Sequence, residues 1–377
     1  MELVKSIVRR HSAILAVDLT TSIGLVYSWN KGYKSLASTI SICCIGGTYL
    51  YGRRMMSRYR ITSNQAVVLT GCDSGLGYSL ALHCRQLGAT VIAGVFQNEG
   101  PGARSLKENN VHVYPLDVTK TNSVVDFVDS VRTIVAQERL ALRWFVNNAA
   151  VMIIGEFEWQ TEEQIRNQVE VNFLGAVRIT RELMPMIRGH SSRIIVISSH
   201  CNMQPIPGVA VYSGTKAAIT AWATAIKVEL KKYGVEVVCY VPGSFVGESN
   251  ILARQAEHFE TMKKSMPEEA KVFYGEYFDR YSKYFMSVAH GGESRKLQDP
   301  RIYKIFEGAL LDKRPSAVYK NETWRYSVYH ALFFIAPASV RDWLVQKFVQ
   351  GPSWTKKDVE AAKNMAEKQG SEKGLLE

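Results

Sequence analysis

Six short runs of mostly apolar, β-branched-rich residues recur between residues 65 and 243. They are QAVVLTG (65–71), ATVIAGVF (89–96), VHVYPLDV (111–118), RWFVNNAA (143–150), RIIVISS (193–199) and VEVVCYVPG (235–243). Longer stretches of helical periodicity separate them, beginning with LGYSLALHCRQLG (76–88). A run that is apolar at nearly every position suits a strand buried on both faces, and strands joined through helices pair in parallel. The alternation therefore predicts an α/β fold: a Rossmann-like, doubly wound parallel sheet. Ligands in such a sheet sit at the carboxyl ends of the strands.

The first run ends in TGCDSGLG: Thr70, Gly71, Cys72, Asp73, Ser74, Gly75, Leu76 and Gly77. Glycines between a strand and a helix allow a tight turn and let backbone approach a pyrophosphate. The helix N-terminus then presents free N–H groups to the phosphates. The strand before and the helix after make this a nucleotide site rather than a plain connection. An acid at the end of the second strand would bind the 2′-hydroxyl of NAD, and a base there the extra phosphate of NADP. VIAGVFQN offers neither; Gly94 or Val95 occupies that place, and no Lys or Arg lies in the turn. The missing basic residues favour NAD. Asp117, at the end of the third run, is placed to meet the adenine, or else simply turns the chain.

Hydride exchange with an alcohol also needs a group that takes or gives the hydroxyl proton. A free tyrosine, with a pKa near 10, is a poor base at neutrality, but a neighbouring ammonium favours its phenolate. In VYSGTKAAITAWATAIKVEL (211–230), Tyr212 and Lys216 lie one turn apart on one helix face. Ser199 ends the preceding strand, so its hydroxyl can return to the same cleft. Tyr27 and Lys31 show the same spacing without strand, turn or serine around them.

With these residues in view, the chain resembles the short-chain dehydrogenase/reductase family over roughly residues 64–290. The likeness rests on TGCDSGLG, NNAA (147–150), Asn172 in VNFLG, Ser199, YSGTK (212–216) and PG (242–243). It implies that Tyr212 is the general acid/base, and that Lys216 binds the nicotinamide ribose while lowering the tyrosine pKa. It further implies that Ser199 positions the substrate oxygen, that Asn172 holds a relay water, and that Asn148 steadies the central strands. Cofactor contacts carried over are Thr70, Gly71, Ser74, Gly75, Leu76, Gly77, Asp117, Asn148, Tyr212, Lys216, Pro242 and Gly243; no metal is implied. TGCDSGLG and TVIAGVFQNEGPGA are most similar to the membrane-bound branch that holds type 2 17β-hydroxysteroid dehydrogenases and retinol dehydrogenases. That branch implies NAD and a steroid, retinoid or similar lipid alcohol. Three positions depart from the family: Ala150 stands in place of a glycine, and Gly247 in place of a nicotinamide-binding threonine for which Ser244 or Ser249 could substitute. His200 follows the catalytic serine, either touching substrate or standing exposed on a loop.

Two apolar stretches precede this unit, residues 12–29 and 35–52, with Lys5, Arg9 and Arg10 before them and Arg53, Arg54, Arg58 and Arg60 after. Each approaches the length of a tilted membrane helix, and positive charge outside the pair places the body of the protein on the cytosolic side. The rival is a single crossing at 35–52. Residues 1–60 are thus expected to anchor the chain at a membrane: the endoplasmic reticulum, with a mitochondrial address as the alternative. The formal charge of +11 suits an anionic membrane surface; no basic run is interleaved with aromatics as in a nucleic-acid binder. Six cysteines without C-x-x-C or zinc spacing read as buried thiols of a reducing compartment. Aromatics crowd KVFYGEYFDRYSKYFM (271–286), where the family places a substrate lid, either against an apolar alcohol or ketone or packed on one another. Residues 291–377 are expected to form a helical extension, in which VYHALFFIAPASVRDWLVQKF (328–348) reads as two amphipathic pieces resting on the bilayer. The resemblance also implies homodimers paired through the helices that carry Asn172 and Tyr212. Two rivals remain: an NADP(H)-dependent carbonyl reductase, and a nucleotide-binding scaffold of the same fold with little turnover.

Overall fold

The computed structural model describes residues 39, 47, 57–243, 245, 248–288, 295–322, 328–329, 332–333, 336–349 and 351–363. The expected anchor segments, 12–29 and 35–52, lie outside the described residues apart from Thr39 and Gly47. Among the described residues no helix is long and apolar enough to cross a membrane.

All six expected strands form: β1 (Gln65–Thr70), β2 (Thr90–Val95), β3 (His112–Pro115), β4 (Ala141–Asn147), β5 (Arg193–Ile197) and β6 (Glu236–Val241). A seventh, β7 (Val318–Lys320), joins from the segment expected to form a helical extension. The order is β3-β2-β1-β4-β5-β6-β7, and every pairing is parallel. The chain reverses its direction of travel across the sheet between β1 and β4, so a crevice opens over their carboxyl ends.

Helices α1 (Gly75–Gln86), α2 (Pro101–Glu108), α3 (Thr121–Gln137), α4 (Glu162–Val169), α5 (Ala176–Gly189) and α6 (Ala210–Leu230) cover the sheet. Local signals fix several ends. Pro101, which has no N–H to lose, opens α2, and the Thr161–Gln164 capping box opens α4. Between α4 and α5 the chain widens into π-type turns over Glu170–Gly175. Val68, Ile92, Phe127, Leu142, Phe145, Ile179 and Ile194 make one face of the core, each 0% or 1% exposed. Such side chains contribute about 1.5–3 kcal/mol each on burial.

Beyond β6 come α7 (Gln255–Ser265), α8 (Glu268–Val288), α9 (Pro300–Leu311) and α10 (Ala338–Phe348). α8 kinks at Gly275, whose φ of +26° a helix does not adopt. Residues 1–60 with 307–316 form one compact unit, and 61–306 with 317–377 a second. Within the first, Tyr59 N–H donates to Leu311 O (2.7 Å) and Lys313 N–H to Ser57 O (2.9 Å). There the Arg58 guanidinium also bonds Asp312 (3.1 Å) and Glu307 (3.3 Å).

Candidate active site

The turn after β1 has the shape its glycines predict. Gly71 and Gly75 have φ of +67° and +56°, a region that L side chains rarely enter. A Cβ on Gly77 would stand 2.1 Å from Gly71 O and 2.5 Å from Asn148 Nδ2, so only glycine lets α1 begin there. The Ser74 side chain makes no cap hydrogen bond, and the first turn of α1 carries no acid. That combination leaves the N-terminus of α1 suited to an anion, and the cradle fits the pyrophosphate of a dinucleotide.

Buried Thr70 ties the turn to β4: its Oγ1 accepts from Asn148 N–H (3.0 Å) and Ala149 N–H (3.0 Å). Asn148 Nδ2 returns two bonds, to Thr70 O (2.8 Å) and Gly71 O (3.0 Å). This pairing joins the two central strands at the crevice. Asp117 closes a local turn, accepting from Thr119 N–H (2.9 Å) and Thr119 Oγ1 (2.7 Å). Pro242 and Gly243 end β6 under Asn321, whose Nδ2 donates to Pro242 O (3.0 Å). Gly243 has φ +92°, and a Cβ there would meet Asn321 O at 2.9 Å. Ser249 lies against Gly75, with its Cβ 2.9 Å from a Cβ built there, which puts it at the glycine turn. Ser244 and Gly247 lie outside the described residues.

Tyr212 and Lys216 lie on the first turns of α6, both buried, with Lys216 Nζ 5.7 Å from the Tyr212 ring centre. Lys216 Nζ donates to Ile197 O (3.1 Å) at the carboxyl end of β5. Burial brings the Lys216 ammonium down to about 8, so it stays mostly charged at neutral pH. Burial pushes the Tyr212 phenol well above its ordinary value; the neighbouring Cys201 adds to this, and a hydrogen bond with Ser199 opposes it. A site closed enough to exclude water penalises the phenolate.

Ser199 caps the short turn His200–Asn202, its Oγ accepting from Cys201 N–H at 3.2 Å. Asn172 sits in the π-type turns. Its Oδ1 accepts from Val151 N–H (2.8 Å), while Nδ2 donates to Val151 O (2.8 Å) and Thr215 Oγ1 (3.1 Å). Both amide hydrogens are thereby committed to protein, so the side chain could hold a water only as acceptor. Thr215 Oγ1 donates to Tyr212 O at 2.7 Å, which links Asn172 to the helix of the tyrosine. Ser199, Tyr212, Lys216 and Asn172 thus converge where β4 and β5 end.

One neighbour was not legible as a site residue. The Cys201 thiol lies beside Ser199 and Ser213, pushed up by burial and partly relieved by their hydroxyls. His200 is not an exposed loop residue: its ring faces buried Glu322 at 3.6 Å and Asn321 O at 3.4 Å, beyond β7. Ala150 is half-buried. The lid aromatics mainly pack on one another. Tyr274, Tyr277, Phe278 and Tyr281 all meet Trp159 edge-on, with ring centres 5.0–5.8 Å away. Tyr212 belongs to that same apolar cluster, so the aromatic core of 271–286 reaches its phenol.

Residues 65–258 match the family model described as short chain dehydrogenase. The chain belongs to the short-chain dehydrogenase family. Estradiol 17-beta-dehydrogenase 2 of Rattus norvegicus is 33% identical over 298 residues, 75% of this chain and 74% of that protein. The human 17-beta-hydroxysteroid dehydrogenase type 2 is 28% identical over 81% of this chain and 78% of its own. The mitochondrial D-beta-hydroxybutyrate dehydrogenase of Rattus norvegicus is 32% identical over 60% of this chain and 68% of its own. Among solved structures, a short-chain dehydrogenase from Streptomyces avermitilis superposes with a TM-score of 0.55 at 22% identity, covering 75% of this chain and 96% of that one. This last likeness speaks for the fold alone. As a short-chain dehydrogenase, the chain is an oxidoreductase.

Proposed function

We propose that the chain oxidises the hydroxyl of a steroid, retinoid or similar apolar lipid alcohol with NAD. The observation that carries the reading is the convergence of Ser199, Tyr212 and Lys216 beside a glycine turn shaped for pyrophosphate. Thr70, Gly71, Ser74, Gly75, Leu76 and Gly77 would hold the phosphates; Asp117 and Asn148 would line the adenosine side, and Pro242 and Gly243 the nicotinamide side. When bound, the oxidised nicotinamide ring supplies a hydride acceptor and a positive charge beside the phenol. Ser199 Oγ holds the substrate oxygen. Tyr212 Oη takes the hydroxyl proton as the carbinol carbon gives up its hydride. Lys216, charged at neutral pH, supports the phenolate, and Asn172 fixes the Val151 loop to α6.

The 33% identity to a protein named for estradiol and the apolar lid support a bulky substrate rather than a short hydroxy acid. The apolar stretches 12–29 and 35–52 with basic flanks support membrane attachment by residues 1–60. They also favour a cytosolic catalytic unit over 64–290 and an extension over 291–377. Leu174 and Val228, 42% and 75% exposed near the Asn172 and Tyr212 segments, support pairing of two copies there.

Tyr212→Phe tests the reading. Loss of a positioned acid/base lowers turnover about 10²–10⁴-fold, while dinucleotide binding by protein fluorescence stays within twofold of wild type. Unchanged turnover in the phenylalanine variant rules the mechanism out.

A further inference from the structure

The sequence shows no acid at the end of β2, where a dinucleotide fold selects its ribose. Gly94 could not carry one: a Cβ there would lie 2.5 Å from Leu116 Cδ2. The structure supplies the acid from elsewhere. Asp73, in the glycine turn, reaches over the end of β2 and accepts from Phe96 N–H (2.9 Å) and Gln97 N–H (2.7 Å). The turn is laid against β2 by Cys72 N–H, which donates to Gly94 O at 3.0 Å.

Resting on the dehydrogenase reading above, we propose that Asp73 is the residue that selects NAD over NADP. The Phe96 and Gln97 N–H groups hold one carboxylate oxygen each. The anion is thereby fixed at the strand end that receives the adenosine ribose, oriented to accept from a 2′-hydroxyl. A 2′-phosphate in the same place meets like charge, which is a repulsive basis for discrimination. Two basic residues of α2 are engaged with the turn that follows β2. Arg104 Nε donates to Glu99 O (3.1 Å), and Lys107 Nζ to Asn98 O (3.2 Å), so both cap the turn that follows β2.

The test is titration of full-length wild type and the variants Asp73→Asn and Asp73→Ser with NAD, NADP, adenosine 5′-monophosphate and adenosine 2′,5′-bisphosphate, followed by calorimetry. The two mononucleotides isolate the ribose from the nicotinamide. Wild type favours the unphosphorylated ligand in both pairs. Loss of a charge-assisted acceptor and of the repulsion shrinks that preference about tenfold to a hundredfold in both variants. A purely structural Asp73 weakens each pair in parallel and leaves the preference unchanged, and that result overturns the inference while the dehydrogenase reading stands. Binding of neither dinucleotide to wild type overturns both.

Discussion

Thr70→Val removes one oxygen from the hinge between β1 and β4 with almost no change of shape. Thr70 is fully buried, and its Oγ1 is the acceptor for two backbone N–H groups, those of Asn148 and Ala149, each at 3.0 Å. A buried donor left without a partner costs about 1–3 kcal/mol. Asn148 and Ala149 are only half-buried, so water can reach part of the site and the lower half of that range applies. Two orphaned donors then cost about 2–4 kcal/mol, or roughly 3–6 °C in melting temperature for a domain of this size. Asn148 Nδ2 also holds Gly71 O, so a shifted 148–149 backbone loosens the phosphate turn and dinucleotide binding weakens with stability. Thermal unfolding in detergent, with and without NAD, measures both effects. Thr70→Ser keeps the oxygen and retains most of the stability. A valine variant melting within 1 °C of wild type, or a serine variant as damaged as the valine one, refutes the reasoning.

Further perturbations read other parts of the account. Lys216 has its pKa brought down to about 8, below an ordinary value near 10.5, so between those limits the unfolded chain binds a proton that the folded chain does not. Stability contributed at this site therefore rises with pH from about 8, and the melting temperature of wild type minus that of Lys216→Met should increase toward pH 10, by roughly 2–3 kcal/mol of stability; a flat or falling difference contradicts the burial. Gly208 has φ +81°, and a Cβ there would stand 2.1 Å from Tyr281 Oη. Gly208→Ala should cost about 2–4 kcal/mol from backbone strain and overpacking. Adding Tyr281→Phe should recover the overpacking part but not the strain, and chemical unfolding of the four proteins in a double-mutant cycle checks this.

The strands of the sheet and the juxtaposition of Tyr212 and Lys216 were legible because each rests on local pattern. Runs such as RIIVISS are apolar throughout, glycine spacing dictates the turn, and Tyr212 and Lys216 share a helix face. What escaped depends on contacts distant in sequence. β7 is three residues long and pairs with β6 across about 80 positions, too short to show a period. The placement of Asp73 was not legible, since nothing in VIAGVFQN announces that an acid from 23 residues earlier would cap it. His200 lacked its partner Glu322 until β7 was placed. The direction of the Tyr212 shift depended on how deeply the phenol is buried, which spacing does not report.

The central claim is hydride transfer from an apolar lipid alcohol at Tyr212, and NADH formation measures it directly. Purified full-length protein in lipid or detergent, supplied with NAD and separately with steroid alcohols, retinols and short hydroxy acids, should produce NADH on a lipid alcohol and far less on the hydroxy acids. Tyr212→Phe should abolish that signal. NADH formed on none of the alcohols by a protein that still binds NAD, or formed equally well by the phenylalanine variant, would contradict the account.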